Sequence, residues 1–426
     1  MVSESLLLWG AAALISAGIL VPYARQFRRR VAHDRERKAE AAALGIDKPS
    51  AQFPFIDPAH CIGCGACVRA CPEGDVLGIV GGTAVVVNGL RCVGHARCEE
   101  ACPVGAITVG LGDLRWREDV PLLDAHFETT VPGIFVVGEL GGLSLVKNAI
   151  AQGRTVMRTI ASRNGRDAIV IGAGPAGLAA AIEAAALGLR CTILEKEANL
   201  GGSLLHYPRR KMVLLQPVEV TPAVVLSREE YSKESLLEMF ERLVDEHKLD
   251  VRFGVHAHAI ARDGDAFVIN GEHRASNVVL ALGRRGSPRK LDIPGEELPK
   301  VMYRLMDAEG YRDQKILVVG GGDSAVEAAV GLALQPGNVV TLSYRREKLV
   351  RIKKKNEIAF AAAKNVRTLF NSQPVEITPT HVRMKTADGI VELENDYVFV
   401  FAGGVPPFEL LRKAGIRMGG AASSEQ

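Results

Sequence analysis

The run SLLLWGAAALISAGILVPYA, Ser5 to Ala24, carries no charged residue. At about 20 positions it has the length of a helix that crosses a bilayer. Arg25, Arg28, Arg29, Arg30, Arg35, Arg37 and Lys38 follow, whereas only Glu4 is charged ahead of it. The positive-inside bias then predicts a transmembrane helix with the N-terminus outside and the remainder facing the cytoplasm. A cleaved signal peptide would place its basic residues before the apolar run. The segment 25–54, with RERKAEAAALG ahead of Pro49, reads as a basic helical linker.

Further along, the pattern switches twice from a short apolar strand to an alanine-rich helix. Ala168 to Ile171 is followed by Gly172, Gly174 and Gly177 as G-x-G-x-x-G, a helix, and a second strand that ends at Glu195. Ile316 to Val319 is followed by Gly320, Gly322 and Ala325, a helix, and the strand VVTLSY, which ends in Arg345 and Arg346. Strand, helix and strand in alternation predict α/β units with parallel sheets. Glycines at this spacing let a backbone approach a pyrophosphate at a helix N-terminus, and Glu195 can accept from ribose hydroxyls. Two guanidinium groups at the matching place in the second unit suit the 2′-phosphate of NADP, where an acid would suit NAD.

At 426 residues the chain exceeds one domain at roughly 150 residues each. A net charge of +3 implies no nucleic-acid surface. Seven of the eight cysteines fall between positions 61 and 102. Such clustering in a large chain points to metal rather than disulfides. Cys61, Cys64, Cys67 and Cys71 give C-x2-C-x2-C-x3-C-P, and 31 residues on Cys92, His95, Cys98 and Cys102 repeat it with one change. Cys191 lies mid-strand in LRCTIL and reads as core.

The cysteine repeat resembles the bacterial ferredoxin run that holds two [4Fe–4S] clusters, in which the fourth cysteine of each run ligates the other cluster. Carried over, that places Cys61, Cys64, Cys67 and Cys102 on one cluster and Cys71, Cys92 and Cys98 on the second. His95 stands in register with Cys64 as the fourth ligand. The alternative of three thiolates and a [3Fe–4S] cluster stays open, and a zinc site of similar spacing is disfavoured by the two in-register copies. The two dinucleotide units resemble thioredoxin-reductase-like flavoproteins, which include one class of ferredoxin–NADP reductase. GGGDSAVE, YRR, VVLALGRRGSPRKLDIPGE and TTVPGIFVVGEL carry the resemblance over about residues 113–415. It implies FAD on the first unit, with Gly138 and Glu139 near its ribityl and pyrophosphate, and NADPH on the second.

Two departures stand out. The motif at 130–140 normally follows the NADPH unit but here precedes the first fingerprint, as in a circular permutation. The redox C-x-x-C of thioredoxin reductase is absent from VMYRLMDAEGYRDQKILVVGGGDSA. The expected fold is therefore α/β, with two Rossmann-like dinucleotide-binding domains, preceded by a small α+β ferredoxin domain and one N-terminal transmembrane helix. The expected segments are 1–24 anchor, 25–54 linker, 55–112 ferredoxin domain, 113–295 FAD domain with its permuted part at 113–165, 296–400 NAD(P)H domain, and 401–426 return to the FAD domain and tail. The implied function is a membrane-anchored oxidoreductase passing electrons from NADPH through FAD to the clusters and on to a redox protein or membrane acceptor. A homodimer is compatible with it. Two other classes stay open: a disulfide or small-molecule reductase acting at the flavin, and a redox sensor or electron-transfer subunit of a larger complex. HYPRRKMV, His206 to Val213, is a basic stretch after the Gly201–Gly202 turn that reads as solvated surface, with lining of an acceptor or nucleotide site as the alternative.

Overall fold

The computed structural model describes residues 4–45, 52–111, 117–214, 217–228 and 230–420. Pro49, the expected boundary at 112/113 and the tail beyond 420 lie outside these. The chain divides into two compact units, Met1–Gly110 and Leu111–Gln426.

In the first unit a single helix spans Glu4–Ala43 and contains Pro22. Leu8, Trp9, Leu14, Ile15, Ile19 and Leu20 stand exposed along its first half. Its second half behaves otherwise. Val31 packs against the ferredoxin core and Ala41 is buried. The Asp34 Oδ2 accepts from the Ile79 amide at 2.8 Å, and Arg37 donates to the Asp75 carbonyl at 2.8 Å. So the charged stretch read as a linker is half a docking element, and its acid is a backbone acceptor. Behind it lie two antiparallel strand pairs, Phe53–Ile56 with Ile107–Gly110 and Leu77–Val80 with Thr83–Val86. Cys67, Cys98, Val76, Leu77, Ala84 and Ile107 form the small core between them.

The second unit holds two five-stranded parallel sheets. In one the order is Asp250–Arg252, Arg190–Leu194, Asp167–Ile171, Val278–Leu280, Ile134–Val136. In the other it is Val301–Met302, Tyr397–Val400, Lys315–Val319, Val339–Ser343, Val366–Leu369. Their central strands Asp167–Ile171, Val278–Leu280 and Lys315–Val319 are runs of mostly buried Val, Ile and Leu, as in a sheet covered on both faces. Ser287–Pro288 pairs with Gly404–Val405 where the chain passes between the lobes. Leu291 and Ile293 already pack in the core of the second lobe.

The edge strand Ile134–Val136 comes from before the glycine fingerprint, yet it completes the first sheet beside Val278–Leu280. Helix Val146–Ser162 then covers helix Pro175–Ala186 so closely that a Cβ on Gly153 would lie 2.2 Å from the Ala176 carbonyl oxygen. At the far end of the chain Leu410, Leu411, Ile416 and Met418 enter the same core as Ile134 and Val136. There Met418 bridges Pro121, and the Gly419 amide donates to the Val120 carbonyl at 2.8 Å. Residues 120–122 and 417–419 are thus neighbours in space. The expected circular permutation calls for such a contact, with its break beside Val120 and its join at the short turn 163–166.

Candidate functional site

The two cysteine loops share one backbone course. Gly63 and Gly94 take φ of 64° and 78°, and Gly65 and Ala96 take 70° and 62°. Each loop runs into a short helix, Ala66–Ala70 or Arg97–Glu100, that carries its third cysteine inward. Cys61, Cys64, Cys67 and Cys102 line one hollow. Cys71, Cys92, Cys98 and His95 line another, together with Glu73. The fourth cysteine of each run has crossed to the other set, as two-cluster ligation requires. The cysteines ring the two hollows, and soft thiolates around a hollow fit an iron–sulfur cube. Burial pushes the Cys92 thiol up to about 11, with Cys71 and Glu73 adding to it, and pushes Cys98 up to about 12. Thiolates there call for compensating positive charge, which bound iron would supply. Backbone amides of Ala84 and Ala106 donate to Cys61 Sγ at 3.3 Å and Cys102 Sγ at 3.2 Å. Both bonds lie on the first set.

The first fingerprint forms a cradle. Gly172 has φ 109°, and a Cβ there would sit 2.6 Å from the Ala281 carbonyl oxygen. A Cβ on Gly177 would meet the Gly172 oxygen at 1.9 Å, so the helix packs against the strand with no room for a methyl group. Gly174 caps helix Pro175–Ala186, and that N-terminus opens onto a large cleft lined by Gly172, Gly174, Glu195, Gly202 and Ala281. Glu195 is buried; its oxygens accept from the amides of Ala173 at 2.6 Å and Glu197 at 2.9 Å. That carboxylate is aimed and held at the strand end, where a ribose would lie. Gly138 follows the edge strand with φ 75°, its amide donating to Gln152 Oε1 at 2.7 Å; a Cβ there would sit 3.3 Å from that of Ala176. Burial raises the carboxyl of its neighbour Glu139, with Arg284 opposing.

In the second lobe Gly320 repeats the turn with φ 146°, its missing Cβ 2.6 Å from the Phe401 oxygen. Gly322 caps helix Asp323–Ala333, and Ala325 is fully buried beneath it. Asp323 Oδ1 accepts from the Lys353 amide at 2.8 Å and from Asn356 at 2.6 Å. Arg345 is exposed and Arg346 half-buried just past strand Val339–Ser343, and among the described residues neither pairs with a carboxylate. Both glycine cradles fit a dinucleotide.

Residues 169–423 match the family described as pyridine nucleotide-disulphide oxidoreductase. The chain belongs to this family. Residues 53–103 match a 4Fe-4S dicluster domain. A ferredoxin–NADP reductase of Ignicoccus hospitalis is 30% identical over 267 residues, 60% of this chain and 83% of that protein. A thioredoxin reductase of Peptoclostridium acidaminophilum is 33% identical over 241 residues, 53% of this chain and 66% of that one. Among solved structures, a bacillithiol disulfide reductase from Staphylococcus aureus is similar at 28% identity and TM-score 0.53, covering 59% of this chain and 80% of that one. This is an NAD(P)H-dependent flavin oxidoreductase of the thioredoxin and ferredoxin–NADP reductase type, joined to a 4Fe-4S domain.

Within this pyridine nucleotide oxidoreductase the stretch HYPRRKMV is not simply solvated. His206, Tyr207 and Lys211 line a cleft with Arg285, Arg304 and Glu327. Arg209 pairs with Asp307 at 3.2 Å, Arg210 with Glu309 at 3.8 Å and Lys211 with Glu327 at 2.5 Å. Three consecutive cations from the flavin lobe thus each meet an acid of the nicotinamide lobe. Their partners lie about a hundred residues away in the sequence, so charge pattern alone signals a solvated run. Cys191 is half-buried on strand Arg190–Leu194, its thiol pushed up to about 12 by burial, as a core residue should be.

Proposed function

We propose that this oxidoreductase takes electrons from NADPH, passes them through FAD to the two iron–sulfur clusters, and delivers them to a redox protein or membrane acceptor. One observation carries this reading: seven cysteines line the two hollows and the eighth, Cys191, stands apart on strand Arg190–Leu194, so no dithiol is left in this chain to receive a pair from the flavin. When bound, FAD would supply the chemistry that couples a two-electron hydride donor to one-electron iron–sulfur acceptors. Gly172, Gly174, Gly177, Gly138 and Glu195 would hold the FAD, and the protein's contribution is position rather than acid–base chemistry. Gly320, Gly322, Ala325, Arg345 and Arg346 would hold NADPH, the two arginines pairing with its 2′-phosphate. The helix Glu4–Ala43 is long and apolar enough to cross a membrane over its first half, and its basic residues follow the apolar run. That supports a single anchor with the catalytic units on the cytoplasmic side.

An anaerobic NADPH titration, followed by visible absorbance and EPR, tests the route. Flavin and cluster bands should bleach together, with reduced-cluster signals appearing. Flavin bleaching over unreduced clusters would overturn it and favour a reductase acting at the flavin. In that case activity would survive Cys61→Ala and Cys102→Ala.

A further inference from the structure

The two halves of the cluster module differ at two positions that lie together in space. Where the first loop has Cys64, the second has His95. After the Cys-Pro that closes each run, the first has Glu73 and the second has Val104. Because the fourth cysteine crosses over, Glu73 arrives in the hollow with His95, and Val104 arrives in the hollow with Cys64. His95 Nε2 lies 3.1 Å from Glu73 Oε1, with both side chains largely buried. The carboxylate therefore accompanies the histidine and the apolar side chain accompanies the thiolate.

We infer that His95 is the fourth ligand of the second cluster, bound through Nδ1, and that Glu73 is the positioning residue that fixes it by accepting the Nε2 proton. The inference rests on the two-cluster assignment and not on the electron route. A neutral imidazole has one N–H and one lone pair, and a carboxylate at Nε2 settles which nitrogen carries which. It also fixes the ring plane and makes Nδ1 a better donor, as carboxylates behind metal-bound histidines do. The loop is held from its other side as well. Buried Gln52 donates to the carbonyls of Gly94 at 2.8 Å and Val93 at 3.3 Å. Gly94 is packed so tightly there that a Cβ would fall within 1.8 Å of the Gln52 side chain. With φ angles matching the first loop's, this support leaves His95 at the corner Cys64 occupies in the other half. A thiolate brings its own charge and needs no such acceptor, which accounts for Val104.

The full chain, loaded with clusters, labelled with 15N-histidine and reduced with dithionite, should show a histidine nitrogen coupled to one cluster in pulsed EPR. In His95→Cys that coupling should vanish, both clusters should remain, and one potential should move negative because a thiolate replaces a neutral donor. Glu73→Gln keeps an acceptor and should keep the coupling. Glu73→Val should drop the iron content from about eight per chain toward about four, or yield a [3Fe–4S] signal, because each cube holds four irons. Combined with His95→Cys, the same Glu73→Val should retain both cubes. Two intact cubes without nitrogen coupling, or a native [3Fe–4S] centre, would overturn the ligand. Iron loss in Glu73→Val regardless of the residue at 95, or no change at all, would overturn the positioning role. Dithionite bypasses the nicotinamide, so none of these outcomes depends on whether NADPH reduces the clusters.

Discussion

Gly177 sits where a methyl group has no room, 1.9 Å from a carbonyl oxygen that belongs to the turn itself. Because the obstacle is backbone, no rotamer change relieves it. Gly177→Ala should therefore cost about 1–3 kcal/mol through overpacking, and should displace the helix N-terminus that faces the cleft. The measurable outcome is a lower melting temperature together with a reduced FAD-to-protein absorbance ratio; full FAD occupancy would count against the cradle. Arg345 and Arg346 present the opposite case, one exposed and one half-buried, neither paired with a carboxylate among the described residues. Arg345→Ala with Arg346→Ala should lower the NADPH-over-NADH ratio of kcat/KM by roughly 10- to 100-fold, since a charge-assisted hydrogen bond contributes about 1.5–3 kcal/mol. Steady-state rates with both nucleotides and an artificial acceptor measure it, and an unchanged ratio would move the phosphate contact elsewhere. The tight turns at Gly172 and Gly320 were legible in the sequence because a strand, a turn and a helix in this order need glycine there. Glu73 was not, because its meaning depends on which hollow the crossover brings it to.

At the scale of elements, the long N-terminal helix is two devices in one rod. Its first half is apolar and exposed, while its second half docks on the ferredoxin strands through Val31, Asp34, Arg37 and Ala41. Asp34→Ala would leave the Ile79 amide without its acceptor, a loss of about 1–3 kcal/mol for a partly buried donor. The denaturant midpoint for bleaching of the cluster chromophore should fall accordingly, whereas Arg29→Ala, on the basic run ahead of the docked half, should leave it in place. The basic stretch at 209–211 carries a graded expectation of the same kind. Arg210 and Glu309 are exposed and 3.8 Å apart, so Arg210→Ala should change stability by less than about 1 kcal/mol. Lys211, two-thirds covered, donates to Glu327, whose carboxylate also accepts from Asn356, and should matter more. The docking of the helix read as a linker and the pairing of the basic stretch went unread for one physical reason. A cation's partner is fixed by tertiary packing, and periodicity along the chain records only which face is wet. Strand and helix identity around the fingerprints, by contrast, follows from local apolar runs and survives to the folded state.

For the whole molecule, the order of the segments and the order of the strands disagree, and the contacts say where the chain can be recut. The sheet needs Ile134–Val136 at its edge and the helix Val146–Ser162 against its fingerprint helix, but it does not need them to come first in sequence. Residues 120–122 and 417–419 already share hydrogen bonds, from Leu122 to Arg417 at 2.9 Å and from Gly419 to Val120 at 2.8 Å. The turn at 163–166 is short, closed by the Gly165 amide on the Ile160 carbonyl at 2.9 Å. A recut chain can therefore begin at Arg166, run to Gly420, pass through a short Gly/Ser linker to Arg117, and end at Arg163. Closing so small a gap costs little, since loop entropy grows only slowly with length, and every strand keeps its neighbour. This protein, freed of the helix and the cluster module, should purify with FAD and reduce an artificial two-electron acceptor with NADPH. It should lose the reduction of one-electron acceptors that the clusters serve. If the recut chain is insoluble or flavin-free while the native order is loaded, then the segment 117–163 cannot reach its place in the sheet without its present connections. The present segment order would then be a requirement of folding, and joining 163 to 166 would be more than a change of connection.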